Sequence, residues 1–509
     1  MLKFIDGLLN RITMYRLVLY YLIFLLVTAT AFGYFGILPY SPVALGFSVL
    51  ILLLVSWAAN SIFAAVYKSP ANVESVYITA LILALIIAPT APQNFPNLMF
   101  LVWAAVWAMA SKYLFAINKK HLFNPAAFAV ALTAVTIGQT ANWWVGGNMP
   151  MLIFVLLGGF LIIRKIQRFD LVFAYLAGVL GMVAFAAFIA GKDPVSSLQA
   201  AVSHAPIFFF ASIMLTEPLT TPPTRPLRIA YGAFVGLLFA PTVHVGAVYS
   251  TPELALLAGN LFSYLVSPKR KYLLTLREKT EVGTGIYNFA FSGGGKMDFR
   301  PGQYMEWTLG HRGSDSRGNR RYFTIASSPT EEELHLGVRF YKPSSSFKKA
   351  LLEMEPGGII MGGQLAGDFT LPRDPGRKLA FIAGGIGITP FRSMVKYLAD
   401  RGEARDIVLL YSNRTADEIS YREIFDDAAG RIGLRTVYAI TDAEGLPQGE
   451  DAHHGRIDAA LIRTKIPDYR SRMFYISGTH AMTTAFKEML AELGVPKNQI
   501  KTDFFPGFA

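Results

Sequence analysis

The string Gly384-Gly385-Ile386-Gly387-Ile388-Thr389-Pro390 follows an apolar run at 379–383 and precedes a helical pattern through Met394 and Tyr397. Glycines placed after a strand let the backbone approach a phosphate closely, and the helix start behind them offers free N–H groups and the positive end of a dipole. Tight strand-to-helix turns also use glycine, so the string alone leaves both readings open. A second kind of chemistry is suggested by His204 and His244, which fall early in one apolar run and late in the next. Two neutral imidazoles on facing helices ligate a haem iron; interfacial hydrogen bonding and a flavin or quinone pocket compete with that reading. Glu217 and Glu74 fall at expected helix ends, where capping or pairing with Arg225 or Lys68 competes with a contact to cofactor or substrate. The chain has no cysteine, so disulfides and cysteine-held iron–sulfur clusters are excluded. Redox work would need organic cofactors, histidine-ligated metal or partner proteins.

Two unlike halves carry these residues. The 509 residues are 53% hydrophobic and 16% charged, with a net charge of +12. Residues 1–267 hold 13 Lys and Arg and six Asp and Glu, whereas the remaining 242 hold 34 and 29. The first half has a membrane composition and the second a soluble one. Apolar runs recur at 15–37, 43–66, 76–89, 98–116, 125–138, 150–164, 170–190, 198–215, 229–248 and 252–267. Several fall short of the ~20 residues that cross a hydrocarbon core, so tilted, broken or half-inserted segments are expected among ten spans. If all ten cross, one side collects Lys3, Arg11, Arg16, Lys68, Lys112, Lys119, Lys120, Arg164, Lys165, Arg168, Arg225, Arg228, Lys269, Arg270 and Lys271, and the other only Lys192. This asymmetry places both termini in the cytoplasm and explains the positive charge without a nucleic-acid partner. The first run lacks a signal-type cleavage site and reads as a retained span.

From Tyr272 the pattern changes to short alternating segments bounded by glycine, which predict a small antiparallel barrel up to about 370. Beyond Lys378, buried strands at 379–383, 407–411, 435–440 and 472–477 alternate with helical stretches, predicting a parallel sheet with crossovers. The expected domains are 1–267 in the membrane, 268–374 for the barrel and 375–509 for the α/β domain.

Three stretches interrupt the apolar half: 69–75, His121-Leu122-Phe123-Asn124-Pro125-Ala126, and Leu215-Thr216-Glu217-Pro218-Leu219-Thr220-Thr221-Pro222-Pro223-Thr224. Together with Ala88-Pro89-Thr90-Ala91-Pro92, they resemble the membrane subunit family shared by Rnf electron-transport complexes and sodium-translocating NADH:quinone reductases, over most of 40–265. The resemblance implies about ten helices in two repeated halves and a flavin, FMN or riboflavin, held in the membrane. Asn124, Glu217 and Thr220 are its candidate contacts, and His204 with His244 the weaker, b-type haem alternative. The loop at 138–147 lacks the threonine motif that is covalently flavinylated in that family, so a noncovalent flavin is expected.

In the second half, Arg300-Pro301-Gly302-Gln303-Tyr304, Arg321-Tyr322-Phe323-Thr324-Ile325-Ala326-Ser327, Ser344-Ser345-Ser346-Phe347, Gly367-Asp368-Phe369, Ser477-Gly478-Thr479-His480-Ala481-Met482 and a phenylalanine-rich end occur in one order. That series resembles the ferredoxin–NADP reductase superfamily over essentially all of 270–509. The resemblance implies FAD held by Arg300, Gly302, Gln303, Tyr304, Arg321, Tyr322, Phe323, Thr324 and Ser327, with Ser345 or Ser346 at its phosphates. Phe323 would pack on the isoalloxazine and the Thr324 hydroxyl would meet flavin N5. Gly384, Gly385, Gly387, Thr389, Pro390, Gly478 and Met482 would hold NAD(P)H. Arg414 would lie near an adenosine 2′-phosphate, with Asp417 and Glu418 diluting its field, so the choice between NADH and NADPH stays open. Ser477 stands where relatives often have the cysteine that contacts nicotinamide, and Phe505 or Phe508 would cover the flavin until nicotinamide displaces it. Thr324, Ser477 and Phe508 are the catalytic candidates.

The expected fold is a polytopic α-helical membrane domain fused to a ferredoxin-reductase-like module of β-barrel and α/β domains. The expected protein is a multi-pass NAD(P)H-dependent flavoprotein of a bacterial-type inner membrane, with its reductase domain cytoplasmic. Electrons would pass from NAD(P)H through FAD to a membrane flavin and on to an extracytoplasmic acceptor, such as a flavinylated protein. A quinone reductase acting at the inner face, or a transporter with a regulatory reductase domain, are the alternatives.

Overall fold

Helix starts in the first half are written in capping chemistry. Thr13, Ser41, Asn94, Asn124, Asp193 and Thr251 each accept a backbone N–H one turn into a helix, and all but Thr13 are followed by proline in the first turn. The computed structural model describes all residues except 1, 10, 11, 68–72, 118, 119, 241, 247, 268, 269, 294, 296, 316, 317, 443–450 and 504–509. It separates into two units, Met1–Arg270 and Lys271–Ala509.

The first unit contains α1 (Leu2–Leu9), α2 (Met14–Tyr34), α3 (Pro42–Val66), α4 (Val73–Ile86), α5 (Phe95–Leu114), α6 (Pro125–Ile137), α7 (Met149–Ile166), α8 (Phe169–Ile189), α9 (Pro194–His204), α10 (Ile207–Phe209), α11 (Arg225–Leu238) and α12 (Pro252–Val266). Two short hairpins join them: β1 (Ala116–Ile117) with β2 (Lys120–His121), and β3 (His244–Val245) with β4 (Val248–Tyr249). By length and apolarity α2, α3, α5, α7 and α8 suffice to cross a membrane, and α9 with the segment Ile207–Met214 makes a further pair bent by 62°. Val27, Trp57, Leu157, Phe173 and Phe188 stand exposed on these helices, as faces turned to lipid would. The apolar helices α4, α6 and α12 have only 14, 13 and 15 residues.

Close helix contact is set by glycine. A Cβ on Gly232 of α11 would stand 2.5 Å from the Leu171 carbonyl oxygen of α8, and one on Gly236 2.4 Å from that of Tyr175. Small residues four apart let two helix backbones touch in this way. Beside this crossing, Phe210 opens a buried π-helical turn, Phe210–Met214, and its ring stacks on Tyr175 with centroids 5.3 Å apart.

The second unit begins with β5 (Tyr272–Gly283), β6 (Ile286–Ser292), β7 (Tyr304–Thr308), β8 (Arg320–Thr324), β9 (Leu334–Arg339) and β10 (Ile359–Ala366), an antiparallel sheet in the order β8-β7-β10-β5-β6-β9. After β8 the chain closes the barrel, with Ala326 N donating to His335 O at 2.9 Å. Trp307, Phe289, Phe291 and Phe347, the last on α13 (Ser346–Leu352), fill the interior. A parallel sheet follows, β14-β13-β12-β11-β15-β16, from β11 (Leu379–Gly384), β12 (Ile407–Asn413), β13 (Arg435–Ile440), β14 (Ala452–His454), β15 (Met473–Ser477) and β16 (Ile500–Thr502). Its crossovers carry α14 (Thr389–Arg401), α15 (Arg422–Ile432), α16 (Ala459–Lys465) and α17 (His480–Glu492). The strand order reverses between β11 and β15, and ligands of such sheets bind at the carboxyl ends of the strands flanking that point.

Candidate functional site

Gly384 ends β11 and Ser477 ends the neighbouring β15, so the two candidate stretches meet at that crevice. A Cβ on Gly384 would lie 2.1 Å from Met482 Sδ, and one on Gly387 would lie 2.5 Å from Ser477 O and 2.7 Å from Gly478 N. Gly385 adopts φ +51°, a left-handed conformation suited to glycine. Thr389 Oγ1 donates to Ile386 O at 3.2 Å, and Pro390 stands in the first turn of α14. The Ser477 hydroxyl donates to Asp503 Oδ2 at 3.1 Å. The turn is therefore a backbone cradle walled by Ser477, Gly478 and Met482.

Arg414 stands exposed just past the end of β12. Glu418 does not dilute its field as the sequence suggests. It is buried, held by both guanidinium nitrogens of Arg339, and its Oε2 accepts Arg414 N at 3.3 Å. Its charge is thus neutralised from the barrel. Arg339 Nη1 also lies 3.3 Å from the position of a Gly385 Cβ, so a cation that sequence reading missed borders the cradle. It stands at the end of β9, and nothing near Gly385 in the sequence signals it.

The candidate flavin contacts gather around β8. Arg321 is 8% exposed, its Nη1 donates to Gly318 O at 3.1 Å, and its Cζ sits 5.2 Å from the Phe347 ring centroid. Phe323 packs toward that same ring at 6.1 Å, and Thr324 pairs with Tyr304 across β7 and β8. The Tyr322 hydroxyl donates to Glu306 Oε2 at 2.9 Å. Ser345 caps α13, accepting Lys348 N at 3.3 Å, while Ser346 Oγ accepts Asp315 N at 2.9 Å and lies 3.0 Å from His311 Nε2. Gly302 adopts φ +89°, with Phe369 O only 2.1 Å from where its Cβ would be. Gln303 Oε1 accepts Arg300 N at 2.8 Å and its amide donates to Gly367 O, so this loop serves as scaffold. Ser327 is corrected to a structural role: fully buried, its hydroxyl accepts His335 N at 3.1 Å and its carbonyl accepts Ser393 Oγ at 2.6 Å. Phe505 and Phe508 lie outside the described residues. The buried Arg321 guanidinium beside the first turn of α13 has the charge and geometry to meet a diphosphate, and the turn 384–387 offers close backbone approach where a Cβ at Gly384 or Gly387 would collide with Met482 or Ser477.

Burial pushes His335 from 6.5 down to about 4, helped by the Arg392 charge. The unfolded chain takes up this proton near pH 6.5, so between there and about 4 it binds more protons than the folded one and stability falls with falling pH. The expected slope is up to ~1.4 kcal/mol per pH unit. The melting temperature of the second unit, read by flavin fluorescence from pH ~7 to ~5, should decline, and His335→Gln should flatten the decline. Parallel slopes for the two proteins would refute this.

In the first unit, three candidate contacts meet. Glu217 Oε2 accepts Asn124 Nδ2 at 2.8 Å and the Thr220 hydroxyl at 3.2 Å, and Oε1 lies 3.2 Å from His121 Nε2. Asn260 Oδ1 accepts Asn124 N at 2.7 Å, and its amide donates to the Tyr231 hydroxyl at 3.2 Å. His121, Asn260 and Tyr231 complete the cluster; of these, only His121 stands in a stretch that the sequence had marked. Glu74 pairs with Arg16 at 3.0 Å, and Arg228 pairs with Asp170 at 2.8 Å. The facing-helix premise for His204 and His244 fails. His204 is exposed at the end of α9 with Nδ1 3.3 Å from Ala200 O; His244 sits exposed in β3 with Nδ1 3.1 Å from Gly246 O. The helix of the ninth run stops at Leu238, and the chain then turns into a hairpin.

Residues 381–488 match the oxidoreductase NAD-binding domain family. Similar curated proteins include a flavohemoprotein of Bacillus cereus (strain ATCC 10987 / NRS 248), 25% identical over 45% of this chain and 58% of the relative. A terephthalate 1,2-dioxygenase reductase component 2 of Comamonas sp is 27% identical over 42% of this chain and 61% of its own. A glycine betaine monooxygenase reductase subunit of Pseudomonas aeruginosa (strain UCBPP-PA14) is 25% identical, over 41% and 56%. The chain thus spans less than two thirds of the length of these relatives.

Proposed function

From the ferredoxin-reductase-like NAD-binding domain in its C-terminal unit, we propose that the protein is a membrane-bound NAD(P)H-dependent FAD oxidoreductase that sends electrons through its helical unit to an extracytoplasmic acceptor. The observation that carries the redox assignment is the glycine turn 384–387 packed against Ser477 and Gly478 at the carboxyl ends of β11 and β15, with the buried Arg321 guanidinium on β8 of the other sheet. Bound FAD would convert a two-electron hydride donor into single-electron steps. Arg321 would neutralise the flavin diphosphate, Thr324 would present its hydroxyl to the ring edge, and Ser477, steadied by Asp503, would orient the nicotinamide.

In the first unit we propose ten membrane crossings in two repeated halves, with both termini cytoplasmic. The lopsided cations support this, since Lys192 alone falls on the other side. Asn124, Glu217 and Thr220 supply an amide, a carboxylate and a hydroxyl, which bond one another in this structure and would have to exchange those bonds to meet the polar edge of a noncovalent flavin. Electrons would leave to a flavinylated or other redox protein. A second reading, a quinone reductase acting at the inner membrane face, draws on an apolar cleft of about 790 Å³ between α2, α3 and α4, lined by Leu19, Ile23, Leu26, Leu45, Val49 and Leu81. Sealed vesicles holding NADH inside and an impermeant acceptor outside decide: external reduction supports the conduit, and reduction of added quinone alone supports the second reading. Purified protein containing FAD as its sole redox centre would sink the conduit.

A further inference from the structure

Six acids stand in residues 1–267, and each is already engaged. Arg164, Arg16 and Arg228 hold Asp6, Glu74 and Asp170 at 2.7, 3.0 and 2.8 Å. Asp193 caps α9 by accepting Ser196 N at 2.8 Å, Glu217 lies in the Asn124 cluster, and Glu253 accepts the indole N–H of Trp143 at 3.2 Å. Residues 1, 10, 11, 68–72, 118, 119, 241 and 247 include no Asp or Glu. Against this set stands Lys165, in the last turn of α7 and only 6% exposed. Among the described residues it has no hydrogen-bonding or ion-pairing partner. A lysine at a helix end ordinarily extends its amine into water, and an exposure of 6% leaves little room for that. Buried charges are paired because an unpaired one is costly, so an anion from outside the chain would complete this site.

The level at which that anion would sit follows from α2. The two helices run antiparallel: Phe24 and Phe32 of α2 meet Phe154 of α7 with ring centroids 5.9 and 5.7 Å apart, and the Tyr21 hydroxyl donates to Val155 O at 3.1 Å. A Cβ on Gly158 would stand 2.0 Å from the Tyr21 ring. Lys165 comes seven residues after Gly158, two turns along the same face. Seven residues back from Tyr21 is Met14, the first residue of α2, so Lys165 is level with the N-terminus of that helix. Thr13 accepts Arg16 N at 3.3 Å, and the first turn of α2 contains no acid. Its remaining N–H groups and the positive end of the helix dipole favour an anion there. Arg164, the neighbouring cation, is taken by Asp6.

We propose that Lys165 and the first turn of α2 bind a phosphate group, supplied by the headgroup of an anionic phospholipid. Lysine serves phosphate as a point charge, and basic pockets between membrane helices on the cytoplasmic side take lipid headgroups. Tyr20 and Ile23 of α2 and Ile153 and Leu157 of α7 are exposed on the same two helices, a surface for the acyl chains. The side of the membrane rests on the topology of the previous section; the electron path does not enter, so the site stands or falls independently of the conduit.

The test uses the full-length protein in nanodiscs of phosphatidylcholine, alone or mixed with phosphatidylglycerol. Thermal unfolding is read by tryptophan fluorescence, since five of the six tryptophans stand in residues 1–267. Phosphatidylglycerol should raise the melting temperature of the natural protein by about 2–4 °C, and the rise should persist in Lys165→Arg and vanish in Lys165→Met. In phosphatidylcholine alone, Lys165→Met should melt at or above the natural protein, because it removes an uncompensated buried charge. Lys192→Gln, at an exposed cation, should keep the full rise. Equal rises in the natural and Lys165→Met proteins, or an equal loss in Lys192→Gln, overturn the site. Inorganic phosphate that raises the melting temperature in phosphatidylcholine as far as the lipid does overturns the lipid as occupant. A second measurement needs no variant: natural protein released from mixed nanodiscs into a mass spectrometer should retain phosphatidylglycerol over phosphatidylcholine by about fivefold or more. Equal retention of the two lipids overturns the proposal.

Discussion

Arg321→Ala should lower FAD affinity on the order of 100-fold and yield protein largely free of flavin. The magnitude follows from the site. A hydrogen bond to a charged group contributes about 1.5–3 kcal/mol net, and a two-pronged contact loses two of them together. Arg321 is already aimed: β8 holds its backbone, Gly318 O accepts its Nη1 at 3.1 Å, and the Phe347 ring lies beneath its guanidinium at 5.2 Å. Little ordering remains to oppose binding. Arg321→Lys keeps the charge and loses the fork, so it should fall between the two. Because the side chain also covers Phe347, the readout is a titration of FAD into flavin-free protein whose circular dichroism matches that of the natural chain. Equal FAD affinity in the natural and Ala proteins would remove Arg321 from the flavin site.

How much of this site was legible beforehand depended on whether the signal was local. The glycine turn was legible because backbone conformation and helix start follow each other in the chain, as Gly385 at φ +51° and Pro390 at the head of α14 bear out. The meeting of Asn124 with Glu217, 93 residues apart, was foreshadowed only because both stand at interruptions of apolar runs. The Arg339–Glu418 pair was not legible, since a charge count around Arg414 records neither which way a carboxylate points nor which strand of another sheet reaches it. Ser327 shows the same limit: its place in the string suggested a ligand contact, yet barrel closure takes its hydroxyl. His244 failed for a different reason. Apolar composition continues past Leu238, but composition does not register where hydrogen bonding changes from helix to hairpin.

Gly387→Ala should cut kcat/KM for NAD(P)H by about 100-fold or more while leaving FAD content unchanged, an effect larger than that of Gly384→Ala, although both add one methyl. The difference lies in what each methyl meets. At Gly384 the obstacle is the Met482 thioether at 2.1 Å, the far end of a flexible side chain that can rotate aside. At Gly387 it is the main chain, with Ser477 O at 2.5 Å, Ser477 C at 2.6 Å and Gly478 N at 2.7 Å. Main chain at the end of a central parallel strand cannot give way alone, because Ser477 is paired with Ala383 of β11 and its hydroxyl is tied to Asp503. Relief must come from widening the gap between the turn and Ser477, which moves the turn and the proposed nicotinamide contact together. A displacement of that kind, about 1 Å at the reacting geometry, costs on the order of 100-fold. Flavin binding is spared because Arg321 and β8 lie in the other sheet. Stopped-flow reduction of the bound FAD at saturating and limiting NAD(P)H separates the two steps. Equal loss in Gly384→Ala and Gly387→Ala would show that the methyl itself, and not the rigidity of what it strikes, sets the effect.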